Sequence, residues 1–291
     1  METGEVLRRV RRLEIRARHL VEDVFAGQSE SVFKGRGIEF AEVRPYVAGD
    51  EVRDIDWNVT ARLGSPFVKR FVEERELTVV LLVDASGSLE FGSQGHSKRE
   101  LASELASLLA FAGLKNSARV GLILFSDRLE LFVPPRRGRS QVLRVVRELI
   151  TRPLAGTGTD WAAGLDFANR VLRRHSLVFV LSDFLAPVDT RLFRITRRRH
   201  ELVCLWLEDP RELELPAVGW AEFEDLESGR VRAVNTNDKR AREAYRAGRA
   251  EGRERARKAL RQIGADHIVL STAQSYLPPL LRYFAERRRR R

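Results

Sequence analysis

Asp84, Ser86 and Ser88 stand two residues apart, directly after the apolar run Leu77-Thr78-Val79-Val80-Leu81-Leu82-Val83. One carboxylate and two hydroxyls on a tight turn offer hard oxygen donors, a set that suits Mg²⁺ or Mn²⁺ better than zinc, which favours thiolate and imidazole. Taken alone, these residues would equally make an ordinary Asx/Ser turn at a strand end. Two distant segments offer matching chemistry. Gly156-Thr157-Gly158-Thr159-Asp160 opens a stretch with helical spacing (Trp161, Leu165, Ala168, Leu172), which puts Thr159 at a helix start. Leu177-Val178-Phe179-Val180-Leu181 is a second apolar run, and it ends in Ser182-Asp183.

Positioning these residues requires strands buried on both faces, as in a parallel sheet, because both runs are continuously apolar rather than alternating. Open α/β sheets bind ligands beyond the carboxyl ends of their strands. The surrounding pattern alternates strand and helix. Ser97-Lys98-Arg99-Glu100 is a capping box for a helix that turns Leu101, Leu105, Leu108, Leu109 and Ala112 inward. Val120 to Phe125 reads as a strand, Pro134-Pro135-Arg136-Arg137-Gly138 as a turn, and Ser140 to Leu149 as a helix. A helix is expected near 189–198, strands at 177–182, 201–207 and 267–270, and a last helix from Tyr276 to Arg287. Asp238 to Arg261 carries both charge signs at helical spacing, the mark of a mostly solvated helix. Residues 5–24 place an apolar stripe on an arginine-rich helix, and 27–36 read as loop. The organisation expected is an amino-terminal helix with a β-rich segment over 1–76, an α/β core over 77–208, a β-rich insertion over 209–236, and a helix-strand-helix completion over 237–291.

Asp-x-Ser-x-Ser, a threonine after glycines and a Ser-Asp after an apolar strand together resemble the metal-ion-dependent adhesion site of von Willebrand factor A domains. The resemblance implies that Asp84, Ser86, Ser88, Thr159 and Asp183 hold the ion, with Thr157 as the alternative threonine. Thr159 fits better through its offset to Gly164-Leu165. Upstream, Gly37-Ile38-Glu39-Phe40, Arg44-Pro45-Tyr46, Gly49-Asp50, Arg53, Ile55-Asp56-Trp57, Thr60-Ala61-Arg62 and Val68-Lys69-Arg70-Phe71-Val72-Glu73-Glu74-Arg75 run in close order. With the following Asp-x-Ser-x-Ser they resemble the bacterial and archaeal family called domain of unknown function 58. That likeness is specific over about residues 30–90 and looser through the core. It implies an α/β fold, a doubly wound and mostly parallel von Willebrand factor A-like sheet with an ancillary β-rich lobe, and a partner among the MoxR-type AAA+ ATPases or their clients. From the residues alone, Asp56-Trp57 and the charges around it read as architecture, an internal ion-pair network, in preference to a contact surface.

Two carboxylates and three hydroxyls fall short of the roughly six oxygens that Mg²⁺ wants, so a position stays open for a partner's acidic side chain. Enzymatic readings fare worse. Phosphatases of the haloacid dehalogenase type need a second carboxylate two residues after the first, where this chain has Ser86. The sequence has no G-x-x-x-x-G-K-[ST] loop and no G-x-S-x-G elbow. His19, His96, His175, His200 and His267 show no paired spacing and read as surface or helix-end residues. The chain of 291 residues carries 52 Lys and Arg against 41 Asp and Glu, a net charge of +11, and ends in Arg287 to Arg291. Such a surplus suits phosphate backbones, yet the aromatics are not interleaved with basic residues as stacking would need, so nucleic-acid binding is the weaker alternative. The single Cys204 excludes an internal disulfide and reads as a small buried hydrophobe. No apolar stretch approaches the roughly 18 residues of a membrane span, and a cytoplasmic location is expected.

Overall fold

A computed structural model describes residues 8, 10–15, 17, 39–72, 77–93 and 95–289. Most of the expected 5–24 helix, the expected loop over 27–36, and Glu73-Glu74-Arg75 lie outside the described residues; residues 10–15 are helical. Contacts divide the chain into two compact units, Phe33–Leu77 and the remainder.

In the smaller unit, β1 (Glu39–Pro45) pairs antiparallel with β2 (Phe67–Val72). Between them lie a 3-10 turn, Val52–Asp54, and the short helix α1 (Trp57–Leu63). Asp56 caps α1 by accepting from the Asn58 and Val59 amides. Arg44 grips Asp50 with two bonds of 2.7 Å each, and this guanidinium holds the Asp50 carboxyl down at about 2. At these positions the charged residues serve the lobe's own architecture.

In the larger unit, β3 (Thr78–Asp84), α2 (Lys98–Lys115), β4 (Arg119–Phe125), β5 (Leu129–Arg136) and α3 (Arg139–Thr151) come first. A π-helical turn, Ala162–Asp166, leads into α4 (Phe167–Val171), followed by β6 (Leu177–Ser182), α5 (Thr190–Arg199) and β7 (Glu201–Glu208). A hairpin of β8 (Trp220–Glu224) and β9 (Val231–Asn235) precedes α6 (Lys239–Ile263), β10 (Asp266–Ser271) and α7 (Leu277–Arg289). Six strands form one sheet in the order β10-β7-β6-β3-β4-β5, parallel except where β5 runs against β4. The unit is thus a mixed α/β structure with helices on both faces.

The interior position of β3, between β4 and β6, explains its unbroken apolar run: all seven of its residues are buried. Its even-numbered side chains, Val80 and Leu82, join Val178, Val180, Cys204 and Trp206 under Leu165, Phe193 and Leu260. On the opposite face α2 approaches closely, since a Cβ on Gly113 would lie 3.0 Å from Val120 Cγ2 and 3.8 Å from Val79 Cγ2. Fully burying each such Leu or Phe contributes roughly 2 kcal/mol. Cys204 is fully buried among these apolar neighbours, and burial raises its thiol pKa.

One reading needs correction. Pro134 and Pro135 belong to β5 rather than to a turn; β5 is an edge strand, where a missing amide donor does little harm. The turn comes later, at Gly138 with φ +99°. His200 sits at a helix end, as expected for one of the histidines, capping α5 and buried there. Within the basic run at the end of the chain, Arg287 is buried, bonds Glu201, and donates from Nη1 to the Tyr283 hydroxyl at 2.9 Å. No helix among the described residues is long and apolar enough to cross a membrane.

Candidate functional site

Asp84 ends β3 at the carboxyl edge of the sheet, and its chain leaves in a tight turn because Oδ1 accepts the Ser86 amide at 2.9 Å. Ser86 and Ser88 follow on a short 3-10 turn, Gly87–Glu90, with their hydroxyls 3.1 Å apart. All three are nearly inaccessible to solvent. Gly87 is required here for space: a Cβ would meet the Leu226 carbonyl oxygen at 2.2 Å.

The glycine loop is pinned to this turn from two sides. The Gly87 amide donates to the Thr157 carbonyl at 2.7 Å. Glu130, at the start of β5, accepts from the Ala155 and Gly156 amides and from Ser126, so one carboxylate fixes the loop. Thr159 consequently points at the site, its Oγ1 lying 3.5 Å from Asp84 Oδ2. Thr157 contributes its carbonyl to the loop's anchoring.

Asp183 directly follows β6, the neighbour of β3. Its Oδ1 accepts the Leu185 amide at 3.2 Å. Between them Phe184 adopts φ +52°, a left-handed conformation that costs a non-glycine residue of the order of 1 kcal/mol or more. Aromatic packing holds it there: Phe184 stacks on Trp161 at 5.4 Å and tilts against Trp206 at 5.5 Å. Asp84, Ser86, Ser88 and Thr159 are thus brought together directly, and Asp183, from the adjacent strand end, is near enough for its charge to act on Asp84.

Four more side chains belong to the site and were not foreseen. Ser182 donates its hydroxyl to Asp84 Oδ2 at 2.6 Å. Lys98, fully buried at the start of α2, reaches Asp183 Oδ2 at 2.5 Å and Glu212 Oε1 at 2.6 Å. Glu227, from the β8–β9 turn, lies with Oε1 3.4 Å from Thr159 Oγ1. Among these, only Ser182 had a signal, its place beside Asp183.

The electrostatics are lopsided. Burial and the nearby Asp183 charge push the Asp84 carboxyl up. Burial and Asp183 likewise raise Glu227, against hydrogen bonds from Thr159 and Ser88 that lower it. Burial raises Glu212 despite Lys98. Four carboxylates thus face one buried ammonium, with the Arg249 guanidinium 3.9 Å from Glu212 only. Among the described residues, Asp84 is partnered by the Ser182 hydroxyl and the Ser86 amide, Glu227 by the Thr159 and Ser88 hydroxyls, and neither by a cation, so the site favours taking up positive charge. Among the described residues no group of three or more His, Cys, Asp or Glu is arranged to hold a metal. The donor set here is instead hydroxyl-rich and all-oxygen, which fits a hard divalent cation.

A sequence profile described as "Protein of unknown function DUF58" matches residues 42–255. An uncharacterised protein of Mycobacterium bovis and one of Mycobacterium tuberculosis are each 34% identical over 283 residues, covering 96% of this chain and 89% of theirs. Among solved structures, an aerotolerance-related membrane protein from Bacteroides fragilis superposes with a TM-score of 0.50 at 18% identity, covering 74% of this chain and 100% of that one. That likeness is one of fold.

Proposed function

The chain belongs to the Protein of unknown function DUF58 family, and on that premise we propose that it is a non-enzymatic interaction module that docks an acidic side chain of a partner protein at a Mg²⁺-type site. Asp84, Ser86, Ser88, Thr159 and Asp183 are the residues that would hold the ion. In this reading the six-stranded sheet is a von Willebrand factor A-like core and the site a metal-ion-dependent adhesion site. The partner is a MoxR-type AAA+ ATPase or its client, on the resemblance of the Gly37 to Arg75 segment and the Asp-x-Ser-x-Ser turn.

The observation that carries the reading is the meeting of two carboxylates and three hydroxyls from three distant segments, in surroundings short of positive charge. A bound Mg²⁺ or Mn²⁺ would supply an electrophilic point able to accept a carboxylate oxygen. The chain's residues do the rest. Asp84 is oriented by Ser182 and by the Ser86 amide, so both its oxygens are fixed before any ligand arrives. Lys98 engages one oxygen of Asp183, which suits Asp183 to an outer, water-bridged contact. The neutral hydroxyls of Ser86, Ser88 and Thr159 add no charge, leaving attraction for an incoming carboxylate. Against a phosphatase, the position two residues after Asp84 is Ser86, whose hydroxyl pairs with Ser88.

Calorimetric titration of Mg²⁺ and Mn²⁺ into the full chain tests the site. One saturable ion is expected per chain, weakened at least tenfold, roughly, by Asp84→Asn. Co-purification of the MoxR-type ATPase with the chain, in Mg²⁺ and in chelator, tests the partner. Metal binding that ignores Asp84, or ATPase capture that ignores chelator, defeats the corresponding half.

A further inference from the structure

We propose that Glu227 is a built-in occupant of the docking position, an acidic side chain on the chain's own hairpin that a partner's carboxylate must displace. The inference rests on the metal-site reading above and concerns how that site is regulated.

The β8–β9 turn, residues 225–230, is exposed at every position except Glu227. Its geometry is fixed by Asp225, whose carboxylate accepts the Glu227 and Ser228 amides, and by Gly229 at φ +67°. This turn packs against the Asp84 turn, with the Leu226 carbonyl filling the space over Gly87. Glu227 then points inward. Its carboxylate meets Thr159, at 3.4 Å, and Ser88, two of the five residues assigned to the ion, and feels the charge of Asp183. On the glycine loop, a Cβ on Gly158 would lie 4.0 Å from Glu227 Oε2.

A carboxylate held half-buried toward like charge is costly. The one turn residue that is not exposed is an acid, and it faces Thr159. That choice makes sense if the site's own chemistry calls for an acid, the group a partner would bring. Apart from Glu227 and the Leu226 backbone over Gly87, the turn is exposed, and the hairpin is two five-residue strands separate from the main sheet. Such an element can lift away at small cost. The hairpin therefore acts as a self-docked competitor: partner affinity is set by the difference between the incoming acid and Glu227.

The test uses the full chain with Mn²⁺ as probe, comparing wild type, Glu227→Gln, Glu227→Ala and Asp84→Asn. Calorimetry reads Mn²⁺ affinity, water-proton relaxation reads the fast-exchanging waters on bound Mn²⁺, and acetate serves as the surrogate acid. Loss of Glu227 should weaken Mn²⁺ several-fold, add about one exchangeable water per ion, and let acetate bind the loaded protein at least several-fold more tightly. A role for Glu227 in folding alone would move neither water count nor acetate affinity. If wild type binds Mn²⁺ through Asp84 but the Glu227 variants match it in water count and acetate affinity, the self-docked acid is refuted while the metal site stands. If wild type binds no Mn²⁺, both fall together.

Discussion

Replacing Lys98 with methionine keeps most of the side-chain volume and removes one charge from the least accessible part of the site. Lys98 Nζ lies 2.5 Å from Asp183 and 2.6 Å from Glu212, and the side chain has no solvent exposure. Each contact is worth roughly 6 kcal/mol of attraction at an effective dielectric near 20. Desolvating one ammonium and two carboxylates costs several kcal/mol per ion, which offsets most of that gain. In Lys98→Met the attraction vanishes while both carboxylates stay buried, so the net loss is expected at about 3–5 kcal/mol. Glu212 is already raised by burial and would rise further without its lysine, and its protonation caps the loss. Urea unfolding in chelator measures the difference, and the melting temperature should fall by about 10 °C for a unit of this size. Adding Asp183→Asn to Lys98→Met should cost less than the sum of the two changes, by about 1–3 kcal/mol. A loss below about 1 kcal/mol, or strict additivity, would show that the amine is not paired in a dry site, and the charge argument for the centre would fail with it.

Gly87→Ala drives a methyl group into the Leu226 carbonyl 2.2 Å away; we expect roughly 1–3 kcal/mol of destabilisation and faster amide exchange over residues 225–230, and unchanged exchange there would contradict the close approach. Phe184→Ala removes the ring stacked on Trp161 while leaving φ +52° in place; a loss of about 3–5 kcal/mol should come with weaker Mg²⁺ binding, because Asp183 loses its aim. His200 has neither ring nitrogen hydrogen-bonded, and burial, with the Arg199 and His175 charges, lowers it to about 4. The unfolded imidazole takes its proton near 6.5 and the folded one only near 4, so folded stability is full above pH 6.5 and declines as pH falls toward 4, by about 2–3 kcal/mol. His200→Asn should flatten that part of the stability-against-pH curve relative to wild type; identical curves would place the titration elsewhere.

What could be read from the sequence follows from where each residue sits in the fold. Thr78 to Asp84 and Leu177 to Ser182 are interior strands buried on both faces, so apolarity runs unbroken until the sheet ends and a carboxylate emerges. Thr159 was legible through the preceding Gly156 and Gly158, whose loop approaches the Ser126-Asp127 turn closely. The other half of the site has no such local imprint. Lys98 is the first residue of a well-capped helix, and the capping box accounts for Ser97 and Glu100 without revealing where the lysine side chain goes. Its partners lie 85 and 114 residues away. Glu227 sits among exposed turn residues and differs from them only by burial, a property set by the packing of the hairpin. The Pro134-Pro135 pair misled for the same reason: proline punctuates a chain unless it falls on a sheet edge, and edge status belongs to the sheet order. Residues that would hold an ion are thus written at strand ends, where two-sided burial makes them visible. Those that set its charge balance and access come from elements laid over the sheet. A chain could keep the first group intact and alter the second, so the sequence motif alone predicts donors, while affinity and accessibility must be measured on each chain's own Lys98 and Glu227 positions.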